Sequence, residues 1–290
     1  MTMPVPHPEH FYLYDQTLSL VGDDLDLERR LQIAQVLGDL GVDLIEAPAG
    51  DSEFWTAAQS LPNLHRRSLV AAIAVHPDDA ELQQRVPDGC EQICLTLPAN
   101  LAATDFGPLL TPLVSAGLRV TVDLADYFDG LRADRAVQRE RLNRAAEAGA
   151  TTVVLCDSKG GTLPAQVEDA VLFASHTGVN LGVQFSNDAG CAVANTLIAA
   201  DTGATLVKGS LVGVGQRAGA ANLATVIANL QLKYGWPALP PDRIGDLTHA
   251  THRIADLLGE RLDPRQPFVG TAAFVGAIDP HVDPSLVGNG

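Results

Sequence analysis

Short apolar runs alternate along this chain with longer stretches in which apolar residues recur at helical spacing. The runs are Phe11–Tyr14, Val42–Glu46, Leu69–Val75, Gln92–Leu97, Arg119–Asp123, Thr152–Asp157, Leu181–Phe185 and Thr205–Gly209. They are rich in Val, Ile and Leu, as strands buried on both faces should be. Between them, Asp26–Leu40 predicts a helix with Asp26 as N-cap and Gly41 as C-cap, and Asp134–Ala148 predicts another with Asp134 and Gly149 in those places. Gly117, Gly149, Gly178 and Gly203 each precede a strand, where a βα repeat turns back toward the sheet. Strand alternating with helix implies a parallel sheet, and eight such units close most naturally into an α/β (β/α)8 TIM barrel. The pattern ends near Leu230. Residues 1–235 are therefore read as the barrel, and 236–290 as a short C-terminal extension: a Pro-rich connector from Trp236 to Pro241, a helix over Ile244–Leu258, and a tail.

Length and charge narrow the picture further. A chain of 290 residues suits one barrel, which typically takes about 250. With 35 Asp+Glu against 19 Lys+Arg the formal charge is −16, which argues against nucleic acid or an anionic membrane as partner, because both require basic patches. No apolar run approaches the roughly 20 residues that span a bilayer, and the opening MTMPVPHPEH lacks the basic-then-apolar form of a secretory signal. Cys90 and Cys94 are the close cysteine pair, with nothing nearby to complete a zinc set; Cys156 and Cys191 read as buried free thiols. The compartment expected is the cytoplasm.

Barrel chemistry gathers at the C-terminal ends of the strands and in the loops that follow. The polar residues there are Asp15, Glu46, His76, Asp123, Asp157, Ser158, Lys159, Gln184, Ser186, Asn187, Asp188, Lys208 and Ser210. Any one of them could simply close a strand with a hydrogen bond. Their convergence on one rim predicts a pocket, since small-molecule sites set a few polar groups in an apolar cleft.

Several motifs at these positions carry a resemblance: LYDQTL at 13–18, VLCDSKGGTLP at 154–164, NDAGCAVANTLIAADTGAT at 187–205, GVGQRAGAANL at 213–223 and QPFVGTAAF at 266–274. Through them the chain resembles the 2-isopropylmalate, homocitrate and citramalate synthases and the hydroxymethylglutaryl-CoA lyases, citramalate synthase most of all. The resemblance implies a barrel, a homodimer, and a divalent metal that polarises the carbonyl of a 2-oxo acid. The family holds that metal with an aspartate after the first strand, a His-x-His at the seventh and an asparagine after the eighth. Those positions here read Leu20, Gln184, Ser186 and Ala220; the family's arginine falls at Ser19, and its glutamate and histidine after the fifth strand at Ala125 and Asp126. Asp23 or Asp24 could stand in for the first ligand, but nothing restores the paired histidines. An amide and a hydroxyl make a poor set for a hard cation, so the expectation is no metal and no cofactor.

Lys208 stands where relatives carry a glutamine or an acid. It could replace the metal as an electrophile, as a charge or through a Schiff base, or it could be tied in an ion pair with Asp157, Asp188 or Glu46. The residues expected to act are Lys208, Ser158 and Asp15, with Gln184, Ser186, Glu46, His76, Asp123 and Asn187 around a small carbonyl or carboxylate substrate. Asn187 and Asp188 also suit a helix cap, His249 and His252 a solvated face, and His281 matches a histidine of the family's accessory region. Three readings follow: a metal-independent enzyme making or breaking a C–C bond, a catalytically inactive ligand- or partner-binding homologue, or a true condensing synthase with an unrecognised metal site.

Overall fold

The eight apolar runs become eight strands: β1 (Tyr12–Asp15), β2 (Leu44–Pro48), β3 (Leu69–Ala74), β4 (Gln92–Leu97), β5 (Arg119–Leu124), β6 (Thr152–Asp157), β7 (Asn180–Phe185) and β8 (Leu206–Gly209). The structure is a computed structural model describing residues 10–21, 24–62, 64, 68–76, 79 and 82–274, so Asp23 and His281 lie outside the described residues. Each strand pairs in parallel with the next, and β1 pairs with β8 in the register Tyr14↔Lys208, which closes the sheet. The (β/α)8 TIM barrel expected from the pattern is the architecture found.

The surrounding helices are α1 (Thr17–Val21), α2 (Leu27–Leu40), α3 (Ser52–Ala58), α4 (Phe106–Ser115), α5 (Tyr127–Ala133), α6 (Arg135–Glu147), α7 (Val167–Ser175), α8 (Ala192–Thr202), α9 (Leu223–Ala228) and α10 (Leu247–Leu258). Their ends follow local chemistry. Asp26 accepts from the Arg29 N–H at the start of α2, and Asp134 accepts from Ala136 and Val137 at the start of α6. Gly41 ends α2 at φ 91°, in the left-handed region that a side chain resists. No helix among the described residues is long and apolar enough to cross a membrane.

Alternation along each strand sorts side chains between two cores. Leu13, Ile45, Ile73, Leu95, Val122, Leu155, Val183 and Val207 point outward and are buried against the helices. Tyr14, Val70, Cys94, Val154, Cys156 and Leu206, with Leu44 packed against them, fill the lumen. Gly182 makes room there: a Cβ on it would stand 2.8 Å from a Leu206 methyl and 3.0 Å from one of Val154. The C-terminal segment joins the outer layer. Phe11 donates its N–H to the Pro237 carbonyl at 3.0 Å and stacks on Trp236 at 5.3 Å, while α10 packs along α2 with Arg253 bonded to Gln32.

Candidate active site at the barrel mouth

Two residues above the apolar lumen floor, toward the C-terminal strand ends, the lumen turns ionic. Glu46 follows Leu44 on β2 and Lys208 follows Leu206 on β8, each one alternation higher on the same face. With Asp123 from β5 they meet across the barrel. Lys208 Nζ donates to Glu46 Oε2 and to Asp123 Oδ2, both at 2.6 Å, with Cys94 Sγ 3.6 Å away and the Tyr14 ring centroid at 4.5 Å. Tyr14 adds its own hydroxyl to Glu46 Oε2 at 2.6 Å. Lys208 is 2% exposed, Glu46 5% and Asp123 6%. The Ser19 hydroxyl lies beside the Glu46 carboxylate.

Burial sets the protonation of this layer as much as charge does. Burial alone would lower the Lys208 ammonium, but Asp123, Cys94 and Glu46 hold it well above the ordinary lysine range, so it stays protonated. Burial pushes Glu46 up, yet Lys208 and the hydrogen bonds of Lys208 and Tyr14 outweigh it and leave that carboxyl below its ordinary range. Asp123 moves the other way: burial raises it more than Lys208 lowers it. The split has a structural cause. Glu46 has Tyr14 as a second donor, whereas no N–H or O–H among the described residues reaches Asp123 Oδ1. The layer therefore sets one ammonium between two carboxyl groups, of which Glu46 is the one held toward its ionised form.

The other expected residues divide into lumen and rim. Gln184 is half-buried on the lumen face of β7, level with Lys208, and Ser186 is half-buried beside Ala220, with which it forms an isolated bridge. Asp15 is fully buried but on the opposite face of β1 from Tyr14; it accepts the N–H groups of Thr17 and Leu211, both at 2.8 Å, and so ties the loop after β1 to the loop after β8. Burial raises its carboxyl to about 6 despite those donors. Ser158 Oγ accepts from the Asp126 N–H at 3.0 Å, and Asn187 Oδ1 accepts from Ala192 at the head of α8 at 3.2 Å. His76 is exposed just past β3. Asp157 accepts from Thr162, Lys159 pairs with Asp129, and Asp188 with Arg217. Away from the mouth, His252 bonds the Val269 carbonyl, and Cys191 is half-buried at the head of α8 rather than enclosed.

Of the three carboxylates expected as lysine partners, Glu46 is one in fact; Asp157 and Asp188 are not, and the second partner is Asp123, which was not among them. Tyr14, Cys94 and Gln16 belong to the site without having been singled out, and parity along β1 and β4 was the available signal. Arg217 was hidden inside its glycine-rich motif. It holds a left-handed backbone at φ 53°, grips Asp188 at 2.6 and 2.9 Å, and donates to the Ser158 carbonyl at 2.8 Å, pinning the loops after β6, β7 and β8 together. Gly160 permits that approach, since a Cβ there would lie 2.4 Å from Asp188 Oδ2.

A divalent metal does not fit these residues. At the positions matching the family's ligands stand two hydrocarbon side chains, an amide and a hydroxyl, a donor set that hard cations bind poorly. Glu46, Cys94 and Asp123 do bring three donor atoms within 4.8 Å of one another. The cation among them is the Lys208 ammonium, and an ion could enter only by displacing it.

A closed parallel barrel with its polar groups collected at the strand ends defines the class, and the sequence places the chain within it. Residues 120–250 match the HMGL-like family model. The chain is 36% identical to the (R)-citramalate synthase of Streptomyces coelicolor over 100% of its own length and 62% of the relative's. To the (R)-citramalate synthase of Synechocystis it is 32% identical over 96% and 60%. The HMG-CoA lyase structure from Bacillus subtilis superposes with a TM-score of 0.70 at 18% identity, covering 89% of this chain and 97% of that one, which speaks to the fold. The chain belongs to the superfamily of 2-isopropylmalate, homocitrate and citramalate synthases and HMG-CoA lyases, and within it stands near the citramalate synthases. It spans about three fifths of the length of those relatives.

Proposed function

We propose that this chain is a metal-independent homologue of the condensing synthases whose barrel mouth binds a small polar molecule, with Lys208 serving as the internal counter-cation of the lumen. The observation that carries this reading is the 2.6 Å contact of the ammonium with both Glu46 and Asp123. An imine-forming lysine must offer a neutral amine to a carbonyl; this one is protonated, enclosed and held from two sides. The same pairing cancels the charge that an electrostatic substitute for a metal would need to direct at a substrate. Ligand binding at the half-exposed Gln184 and Ser186 is therefore favoured over carbonyl activation by Lys208.

A second reading rests on Asp123. Burial raises its carboxyl, and no N–H or O–H among the described residues reaches its Oδ1, which suits a group that exchanges a proton with a bound ligand. Proton transfer to or from a bound ligand is the chemistry this mouth supports best.

Borohydride trapping in the presence of pyruvate, read by intact-protein mass, tests the first reading. The expected result is an unlabelled Lys208; a reduced adduct on that residue overturns it. Elemental analysis with calorimetric titration of magnesium, manganese and zinc should find no one-equivalent site, and micromolar binding of any of them would return the chain to the metal-dependent synthases. A thiol-release assay with pyruvate and acetyl-CoA should give no turnover in the usual enzymatic range of roughly 1–1000 per second.

A further inference from the structure

Lys and Arg are few in the loops that follow the strands, and each described one is already taken. Arg85 pairs with Asp79, Arg132 and Lys159 with Asp129, and Arg217 with Asp188. Lys208 faces two carboxylates. Asp15 spends both oxygens on backbone N–H groups, and Asp157 gives its Oδ2 to the Thr162 N–H. A ligand carboxylate entering here would meet no unpaired Lys or Arg among the described residues, and beneath it a buried layer of two carboxyl groups to one ammonium. Such charges act strongly because the surrounding wall is protein rather than water.

Above this layer the mouth opens on one side. The lumen-facing residues of β3 and β4 become exposed toward the strand ends: Ala72 and Thr96 are half-buried and Ala74 is exposed, whereas the outward-facing Ile73 and Leu95 are fully enclosed. Across from them stand Gln184 and Ser186, both neutral. Two polar atoms here want a partner. Gln16 is the first residue after β1, two beyond Tyr14, with its N–H still on the Gly209 carbonyl of β8, and is 6% exposed; its Nε2 donor is unmatched, as is the Asp123 Oδ1 acceptor. A buried donor and acceptor left unmatched cost the fold, and a ligand that satisfies them recovers that cost as affinity.

From this arrangement we infer that the mouth accepts a small uncharged or cationic molecule carrying a hydroxyl or amine, and disfavours carboxylates. The inference rests on the reading of the mouth as a small-molecule site and gives that site its ligand class. A hydroxyl or ammonium hydrogen would be offered to Asp123 Oδ1, and a carbonyl or hydroxyl oxygen would receive from Gln16 Nε2. The chain thus keeps the barrel of the citramalate synthases while its mouth selects against acids.

An introduced thiol can report the charge of the mouth before any ligand is known. Ala74→Cys, in a background with Cys90→Ser and Cys191→Ser, is reacted with a trimethylammonium and with a sulfonate methanethiosulfonate reagent. Val137→Cys, on the exposed outer face of α6 and 48% exposed, reports the general field of an acidic protein. The cation-to-anion rate ratio should be about tenfold or more higher at position 74 than at 137, shrinking with salt. Equal ratios, or a preference for the sulfonate at 74, overturn the inference. The same thiol then reads occupancy. Hydroxyacetone and 1-amino-2-propanol should slow its modification while pyruvate does not, and Gln16→Leu should weaken that protection. Protection by pyruvate alone leaves a small-molecule mouth but refutes the ligand class. Protection by none of the three at tens of millimolar refutes the small-molecule mouth itself, and the ligand class with it.

Discussion

The barrel wall separates two cores built on opposite terms. Outside it, between strands and helices, the buried residues are Leu, Ile, Val, Ala and Phe, and burial of apolar area does the work at about 25 cal/mol per Å². Inside it, the floor is apolar but the next layer is Tyr14, Glu46, Cys94, Asp123 and Lys208. Barrel lumens are ordinarily filled with layers of branched apolar side chains. An ionic layer there is weak as a source of stability, because desolvating three charges offsets most of their attraction. It is strong as a source of specificity, since removing any one member strands the others. The outer core tolerates change by degrees; the inner one should not.

Lys208→Met gives the sharpest form of that contrast. It strands two buried carboxylates and should cost about 3–5 kcal/mol in urea unfolding, much of which Lys208→Met combined with Glu46→Gln and Asp123→Asn should recover. A loss under about 1 kcal/mol for the single variant would show that water reaches the layer freely. Leu155→Ala is the matching change outside the wall. It should cost about 2–5 kcal/mol by loss of packing, and its cost should be the same at pH 5 and pH 9, unlike that of a change in the ionic layer.

Asp15 brings a titration to the boundary between the two. Its folded carboxyl is raised from 3.8 to about 6, so its contribution is fully present below the unfolded value and is lost as pH rises through the folded one. The stability of the wild type relative to Asp15→Asn should thus fall by roughly 2.5 kcal/mol between pH 4 and pH 7. A difference that stays flat or grows with pH would contradict this. Tyr14→Phe should have the smallest effect, about 1.5–3 kcal/mol for one hydrogen bond to a charged acceptor. By withdrawing its second donor it should also move Glu46 upward toward Asp123, which carboxyl infrared bands can follow.

Much of the frame was legible from periodicity. β4 and β6 begin and end where their apolar runs do, because turn residues bracket both. β1 and β2 start one and two residues later than their runs. Phe11 is drawn to Pro237 and Trp236 below the barrel, and Asp43 leaves the ladder to hold His10 and the Leu13 N–H. The site was harder. A polar residue at a strand end looks the same in sequence whether it faces lumen or shell; Asp15 and Tyr14 are neighbours, and one step of parity decides which belongs to the lumen. That Lys208 would need a carboxylate could be read from its position. That Asp123 would share it could not, because β5 and β8 meet only when the whole sheet has curved round. The cap at Asn187 could be read locally, since its partner lies five residues away.

Closure by β1 against β8 also has a consequence in time. The Asp15–Leu211 bond spans 196 residues of chain, and the Phe11–Pro237 bond reaches further still. At a synthesis rate of about 5–20 residues per second, the first strand waits roughly 10–40 s on the ribosome before its last neighbour exists. During that interval one side of β1 presents an open row of N–H and C=O groups to whatever is near. That edge stays open until β8 is made, and Phe11 until Trp236 arrives to stack on it.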